Sequence, residues 1–221
     1  MTAQDLKLDD FQFYDVASQI LDQTILVQGQ FDEALEPIRL TQLNLFANPV
    51  SKSGEELHNR DAHLIWYDVF DPIPEPTRVV VVANQFGEQK TLIGRTISFL
   101  SPTQKYEPGS KFPKELDHFK VYGVLQGEQI GKQVTLKDQF GGNEVVVYCP
   151  VAFAVPVLKR HLQGSFDVHN REAHLVIYGI TPRTLQKSVL ARDQFGRHHL
   201  HVYRSVLLAA PSKKLNWKVE D

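Results

Sequence analysis

The sequence has little of what marks several large classes of protein. Cys149 is the single cysteine among 221 residues, so no disulfide can form within the chain and a reducing, cytoplasmic location is expected. No apolar run approaches the roughly 20 residues of a membrane-spanning helix, and residues 1–8 lack a signal-peptide pattern. The 24 basic and 26 acidic residues give a formal charge of −2 without a basic stripe. We therefore expect neither nucleic acid nor a membrane as partner.

The common catalytic and cofactor-binding signatures are also missing. The chain has no Gly-Lys-Ser/Thr phosphate loop, no Gly-x-Ser-x-Gly nucleophile elbow and no His-Glu-x-x-His zinc motif. Carboxylates are not paired at repeated points, and no cationic neighbour activates the Cys149 thiol. The sequence therefore predicts a protein that is not an enzyme and has no cofactor.

What the chain does contain is a fourfold repeat. A Gln-Phe pair recurs with its phenylalanines 55, 54 and 55 residues apart, which defines units one to four. In units two to four the pair lies in an Asp/Asn-Gln-Phe-Gly turn, and a weaker copy occupies residues 29–32. An Asp or Asn at the first position can accept a hydrogen bond from the backbone amide two residues on, and glycine suits the last position. We predict hairpin turns with buried phenylalanines at Gln85, Phe86, Gly87, Gln139, Phe140, Gly141, Gln194, Phe195 and Gly196.

Two further landmarks frame each turn. Every unit opens with a strand that ends in tyrosine: Tyr14, Tyr67, Tyr122 and Tyr178. Every unit closes with Pro-x-x-Lys, whose lysines are Lys52, Lys105, Lys159 and Lys214. Between turn and proline, apolar residues alternate with variable ones, a pattern typical of half-buried antiparallel strands. From the phenylalanine to the proline is 16 residues in three units and 18 in unit one, which predicts a two-residue insertion within residues 32–37.

A second duplication suggests that the units are paired. The heptapeptide at residues 58–64, His-Asn-Arg-Asp-Ala-His-Leu, returns almost unchanged at residues 169–175. A unit of about 55 residues buries too little apolar surface to be stable alone. We therefore predict an all-β protein with a first domain at 9–105, a linker at 106–114 and a second domain at 115–215. Each domain would be an antiparallel β-sandwich or small barrel; the alternative is a single four-bladed, propeller-like array.

The combination of His-x-x-x-Tyr, Asp/Asn-Gln-Phe-Gly and Pro-x-x-Lys resembles an uncharacterised bacterial β-repeat domain family, over about residues 10–215. The resemblance implies fold and repeat pairing, and it brings no activity or catalytic residues. Members of that family typically carry one cysteine just before the tyrosine and another two residues before the proline, often in exported proteins. Here those positions hold other residues: Phe13, Trp66, Val121 and Ile177, and Ala47, Leu100, Ala154 and Ala209. The resemblance implies that relatives have a disulfide bridge between the first and third strands of a unit. In this chain we expect side-chain packing at those positions instead.

Few residues suggest a binding site. Exposed aromatic side chains suited to a carbohydrate or small ligand are expected at Trp66, Tyr148 and Tyr203, with Tyr106 as a further example. Arg60 and Arg171, in the two heptapeptides, are candidates for binding a carboxylate or glycan. His199 and His201 share one face of a predicted strand and are the metal candidates.

The recurring polar residues favour a structural role. His63, His118 and His174 open units two to four, and recurrence at a fixed place predicts a structural hydrogen bond. We therefore expect a non-enzymatic binding or scaffold protein with a protein partner. A carbohydrate- or small-ligand-binding protein is the alternative, and a metal-dependent enzyme at residues 198–201 is a weaker third.

Overall fold

The computed structural model describes residues 6–70, 74–161 and 164–220, and its secondary structure is almost entirely β. Residues 1–5, which belong to the N-terminal segment that lacks a signal-peptide pattern, lie outside the described residues. The strands are β1 Asp10–Gln28, β2 Glu36–Lys52, β3 His63–Phe70, β4 Arg78–Asn84, β5 Gly87–Lys105, β6 His118–Gln126, β7 Lys132–Asp138, β8 Gly141–His161, β9 Gly164–Phe166, β10 His174–Asp193 and β11 Gly196–Val219. No helix among the described residues is long and apolar enough to cross a membrane.

The opening strand of each unit lies between two closing strands. In unit two, Leu64 pairs with Pro102 of its own closing strand and with Ala47 of the preceding one. The same arrangement recurs in units three and four, and Phe11 of unit one pairs with Ala209 of unit four. Eight antiparallel strand segments are thus linked edge to edge into a closed ring. The long hairpins that leave this ring make the sheet more complex than a simple barrel.

The all-β tandem-repeat fold is confirmed, but the expected division at residues 106–114 needs correction. β5 and β6 flank that segment and pair directly, with Leu100 opposite Phe119. The physical reason is that an opening strand has unpaired backbone N–H and C=O groups along both of its edges. Its own unit supplies a hydrogen-bonding strand for only one edge, so the other edge pairs with a neighbouring unit. Residues 9–105 and 115–215 therefore contribute to one continuous sheet. A propeller would instead keep a separate sheet for each unit.

The two faces of the ring carry different core layers. One layer fills the inside of the ring. It contains the apolar residues of the opening strands and one residue from each closing strand: Ala47, Leu100, Ala154 and Ala209. The other contains Phe46, Phe99, Phe153 and Leu208 with the four tyrosines, and the hairpins cover it from outside. The positions where relatives carry cysteine are direct cross-strand pairs in the inner layer: Phe13 with Ala47, Trp66 with Leu100, Val121 with Ala154, and Ile177 with Ala209. Packing occupies these positions, as expected.

The predicted turns are confirmed in units two to four. The carboxylate or amide oxygen of Asn84, Asp138 and Asp193 accepts a hydrogen bond of 2.8 Å from the phenylalanine amide two residues on. The glycines that follow have positive φ angles, for example +118° at Gly141. In unit one the connection from β1 to β2 is longer, residues 29–35, as the predicted insertion requires.

Candidate functional site

Each turn docks on the tyrosine of the unit two positions away along the chain. We call each of these four contacts a corner. The turn of unit three meets Tyr14, the turn of unit four meets Tyr67, and the ring centroids of phenylalanine and tyrosine are 5.1 Å apart in both corners. Phe86 meets Tyr178 at 5.1 Å, and Phe31 meets Tyr122 at 5.4 Å. The phenylalanines are therefore packed into the outer core layer, and none is an exposed binding aromatic.

In three corners the tyrosine hydroxyl bonds to the first residue of the turn. Tyr14 donates to Asp138 at 2.5 Å and Tyr67 donates to Asp193 at 2.7 Å. In the third, Asn84 donates to the Tyr178 hydroxyl at 2.8 Å. Each of these hydroxyls therefore meets a turn side chain that comes from more than 90 residues away in the chain.

The recurring lysines and histidines bind the glutamines of the turns. Three of the lysines donate a hydrogen bond to the turn glutamine of the next unit around the ring: Lys105 to Gln139, Lys159 to Gln194 and Lys214 to Gln30. Gln194 also lies 3.0 Å from the Nε2 of His118. Burial, together with the Lys159 ammonium, lowers the pKa of His118 to about 3. The imidazole is therefore neutral at pH 7 and structural, so the landmark residues hold the units together.

Unit one departs from this pattern because its turn begins with glycine. The buried hydroxyl of Tyr122 has no hydrogen-bond partner among the described residues. Beside it, the fully buried ammonium of Lys120 lies 3.0 Å from Asp32, 3.3 Å from Glu36 and 3.7 Å from Glu75. Burial lowers the pKa of Lys120, but the three carboxylates outweigh that effect and raise it overall. An ionic cluster thus replaces the missing turn carboxylate.

The predicted binding aromatics are not brought together in one place. Trp66 was expected to be exposed, but it is 7% exposed and packs edge-on against Phe13 in the inner layer, with ring centroids 5.9 Å apart. The reason is that Trp66 lies two residues from Leu64 and shares its inward face. Tyr148 and Tyr203 are exposed, as expected, but lie on β8 and β11, which do not pair with each other.

The exposed Tyr106 sits under the guanidinium of Arg197. Arg60 and Arg171 are exposed on their two heptapeptides. Neither arginine takes part in a salt bridge within the described part of the chain.

The two metal candidates do share a face. The rings of His199 and His201 lie 4.9 Å apart on the exposed side of β11. His198 points to the other side, where it lies 3.1 Å from Asp193. Across residues 6–70, 74–161 and 164–220, no group of three metal-ligating side chains comes together.

The connectors at one end of the ring border an open pocket of about 530 Å³, which we call the end pocket. Two carboxylates organise it. Asp9 accepts hydrogen bonds from the amides of His58 and Asn59, at 2.7 and 2.8 Å. Asp117 accepts the same bonds from His169 and Asn170, at 2.7 and 2.9 Å. The pocket therefore has two similar halves, one from each heptapeptide.

The floor of the end pocket is apolar and continues into the inner core layer. It consists of Leu6, Leu8, Ala62, Leu116, Phe119 and Ala173. Sequence reasoning missed this site, because its lining comes from four separate segments of the chain, at residues 6–9, 58–62, 115–119 and 169–173. The available signals were the repeated heptapeptide and the Leu-Asp pairs at residues 8–9 and 116–117.

Comparisons with known proteins agree with the repeat architecture. No curated protein and no solved structure matches the chain. The model of the DUF7450 family, described as a repeat of unknown function, matches residues 63–211, more than half of the chain. The match begins at the histidine that opens unit two and ends at the proline that closes unit four. The chain therefore belongs to the DUF7450 family of repeats of unknown function.

Proposed function

We propose that this protein is a non-enzymatic binding protein and that the end pocket is its binding site for a small ligand. The observation that carries the proposal is the pocket itself, about 530 Å³ with an apolar floor and a polar rim. Small-molecule sites are typically concave, roughly 300–1,000 Å³ in volume, and carry a small number of placed polar groups. They also occur preferentially at the mouths of closed β structures, which is where this pocket lies.

The use of the other polar residues supports this choice. Three of the four recurring tyrosines bond to the first residue of a turn, and Lys105 and Lys159 bond to turn glutamines, so these polar groups are engaged within the fold. At the end pocket, by contrast, His58 and His169 keep exposed side chains beside buried carboxylates. Binding chemistry is therefore available at the rim of this pocket.

Fragment screening by NMR tests the proposal. Small amphipathic fragments of neutral, anionic and cationic type are added to the protein, and we expect saturable shifts of the amides of residues 58–62 and 169–173. Ala62→Leu and Ala173→Leu, which fill the floor, should abolish those shifts. Ala34→Leu, at an exposed position in the connection from β1 to β2, is the matched control. If no fragment shifts these amides in the folded wild-type protein, the end pocket is not a binding site.

A protein partner is a second proposal, and the free edge of β11 favours it. Residues 213–219 pair with β4 on one edge, and within the described residues no strand pairs with the other edge. The corresponding end of β8 is covered by β9, with Lys159 opposite Phe166. Leu215, Trp217 and Val219 alternate along the uncovered strand and are 38–47% exposed. An edge strand of this kind is suited to pairing with a strand of another chain.

Affinity capture with matched variants tests this second proposal. A partner retained by the wild-type protein should be lost with Leu215→Lys and Val219→Lys, which charge the apolar face of the edge. Lys218→Glu changes a charge on the same strand and should keep the partner. Equal retention by all four proteins would show that the partner binds elsewhere.

We also propose a cytoplasmic location. The support is the single, half-buried Cys149 and the apolar packing at the positions where relatives carry cysteine. Epitope tagging and fractionation of the native host would test it, and recovery of the tagged protein outside the cytoplasm would contradict it.

A further inference from the structure

We propose that the ligand of the end pocket is a linear diamine, an alkyl chain with an ammonium group at each end. This inference rests on the proposed function and adds the chemical class of the ligand. Its starting point is the duplication within the pocket: Asp9 with residues 58–59 forms one half, and Asp117 with residues 169–170 forms the other. A ligand that uses both halves equally needs similar groups at its two ends.

The charges of the lining select the sign of those groups. Asp9, Asp117 and Glu115 contribute three negative charges and Lys7 contributes one positive charge, so the acidic and basic side chains of the lining sum to −2. Asp9 and Asp117 are 6% and 5% exposed, so water solvates them poorly. A cation placed near a poorly solvated carboxylate interacts with it more strongly than it would in water. An anionic ligand would be repelled by the same charges.

The carboxylates also retain acceptor capacity. Each oxygen of Asp9 and Asp117 accepts one backbone amide, whereas an ionised carboxylate can accept about four hydrogen bonds in total. Burial raises the pKa of both carboxyls even though these amides lower it. An ammonium group would supply further donors and favour the ionised form.

The apolar floor accounts for the middle of the ligand. Leu8, Ala62, Leu116 and Ala173 come in two equivalent pairs, one pair in each half. A methylene chain can cover these side chains and gains free energy from the apolar surface removed from water. A sugar of similar length would place hydroxyl groups on the same surface, where they would find no partners.

Calorimetric titration with a homologous series tests the inference. The probes are the diamines from 1,3-diaminopropane to 1,8-diaminooctane, each compared with the monoamine and the diol of the same length. We expect saturable binding with an optimum at one chain length. The monoamine should bind about tenfold more weakly, because it forms one ion pair instead of two, and the diol should not bind measurably.

Variants tie the binding to the pocket. Glu115→Gln and Asp117→Asn should each weaken the best diamine severalfold, and Ala173→Leu should abolish its binding. Glu128→Gln removes an exposed carboxylate outside the pocket and should leave the affinity unchanged. If Asp117→Asn fails to fold, Glu115→Gln still provides the charge test, because Glu115 is exposed.

The outcomes separate the two proposals. If neutral or anionic fragments occupy the end pocket while diamines do not bind up to about 10 mM, the diamine inference fails and the binding function stands. If neither fragments nor diamines reach the pocket, both fail. Diamine binding that is unaffected by Glu115→Gln and Ala173→Leu would also overturn the inference, because the site would then lie elsewhere.

Discussion

The hydroxyl of Tyr67 donates to Asp193, a residue 126 positions away in the sequence. Such contacts set the role of single side chains in this protein. The corner at Tyr14, for example, combines a tyrosine of unit one, Lys105 of unit two and the turn of unit three. The effect of a substitution therefore depends on the corner to which the residue belongs.

Phe140 provides a test of corner packing. Its ring lies 5.1 Å from the ring of Tyr14, and the ammonium of Lys105 lies 5.1 Å from its centroid. We expect Phe140→Ala to lower the free energy of unfolding by about 3 kcal/mol, the lower end of the usual range because the ring is only partly buried. Phe70→Ala is the control, since Phe70 is 59% exposed and should cost under about 1 kcal/mol. Urea denaturation measures both, and equal costs would argue against the packing role.

His118 makes stability depend on pH. Its pKa in the folded protein is about 3, lowered by burial, against about 6.5 in an unfolded chain. Between these values the unfolded state binds a proton that the folded state excludes. The contribution of His118 to stability is therefore complete above pH 6.5 and is lost as the pH falls. We expect a loss of about 2 kcal/mol between pH 7 and pH 5.

Comparison with His118→Gln isolates this effect. Burial raises the pKa of Asp10 to about 6, so Asp10 opposes the trend over part of the same range. The difference in urea midpoint between wild type and variant, followed from pH 5 to pH 7, removes the shared contribution of Asp10. A constant difference would show that the pKa of His118 is the same in the folded and unfolded states, which would contradict the prediction.

Among the elements, the hairpin turn of unit three carries the clearest backbone requirement. Gly141 has a φ angle of +118°, whereas its neighbour Gly142 does not have a positive φ angle. We expect Gly141→Ala to cost about 1–2 kcal/mol, because a Cβ atom strains this conformation, and Gly142→Ala to change stability by under about 1 kcal/mol. Thermal denaturation of the two variants makes the comparison. Similar melting temperatures would show that the turn tolerates a side chain.

The elements also show which features a sequence can reveal. The turns and the alternating columns were predictable, because each depends on residues within a few positions of one another. The inward position of Trp66 was predictable too, since the matching residues Phe13, Val121 and Ile177 are all apolar. The closure of the ring was not, because strand pairing between units depends on which edges meet. The end pocket was missed for the same reason: Asp9 and Asp117 line one pocket only once the ring is closed.

For the whole molecule, the ring predicts that half-chains behave differently from independent domains. Residues 1–105 and 106–221 each contain two turns whose docking tyrosines lie in the other half. We expect neither half to form a folded monomer, and an equimolar mixture of the two to form a folded one-to-one complex. Circular dichroism and size-exclusion chromatography follow both properties. A half that folds as a monomer would restore the two-domain interpretation.

The exchange of turns between halves also bears on how such a chain could arise. Unit one docks on unit three and unit three on unit one, while units two and four do the same. An ancestor with only two units would have had no tyrosine on which its own turns could dock. Two copies of it could have formed all four corners as a symmetric dimer. Gene duplication and fusion would then have joined two subunits that already depended on each other. The near-identical heptapeptides at residues 58–64 and 169–175 are what such a fusion would leave behind.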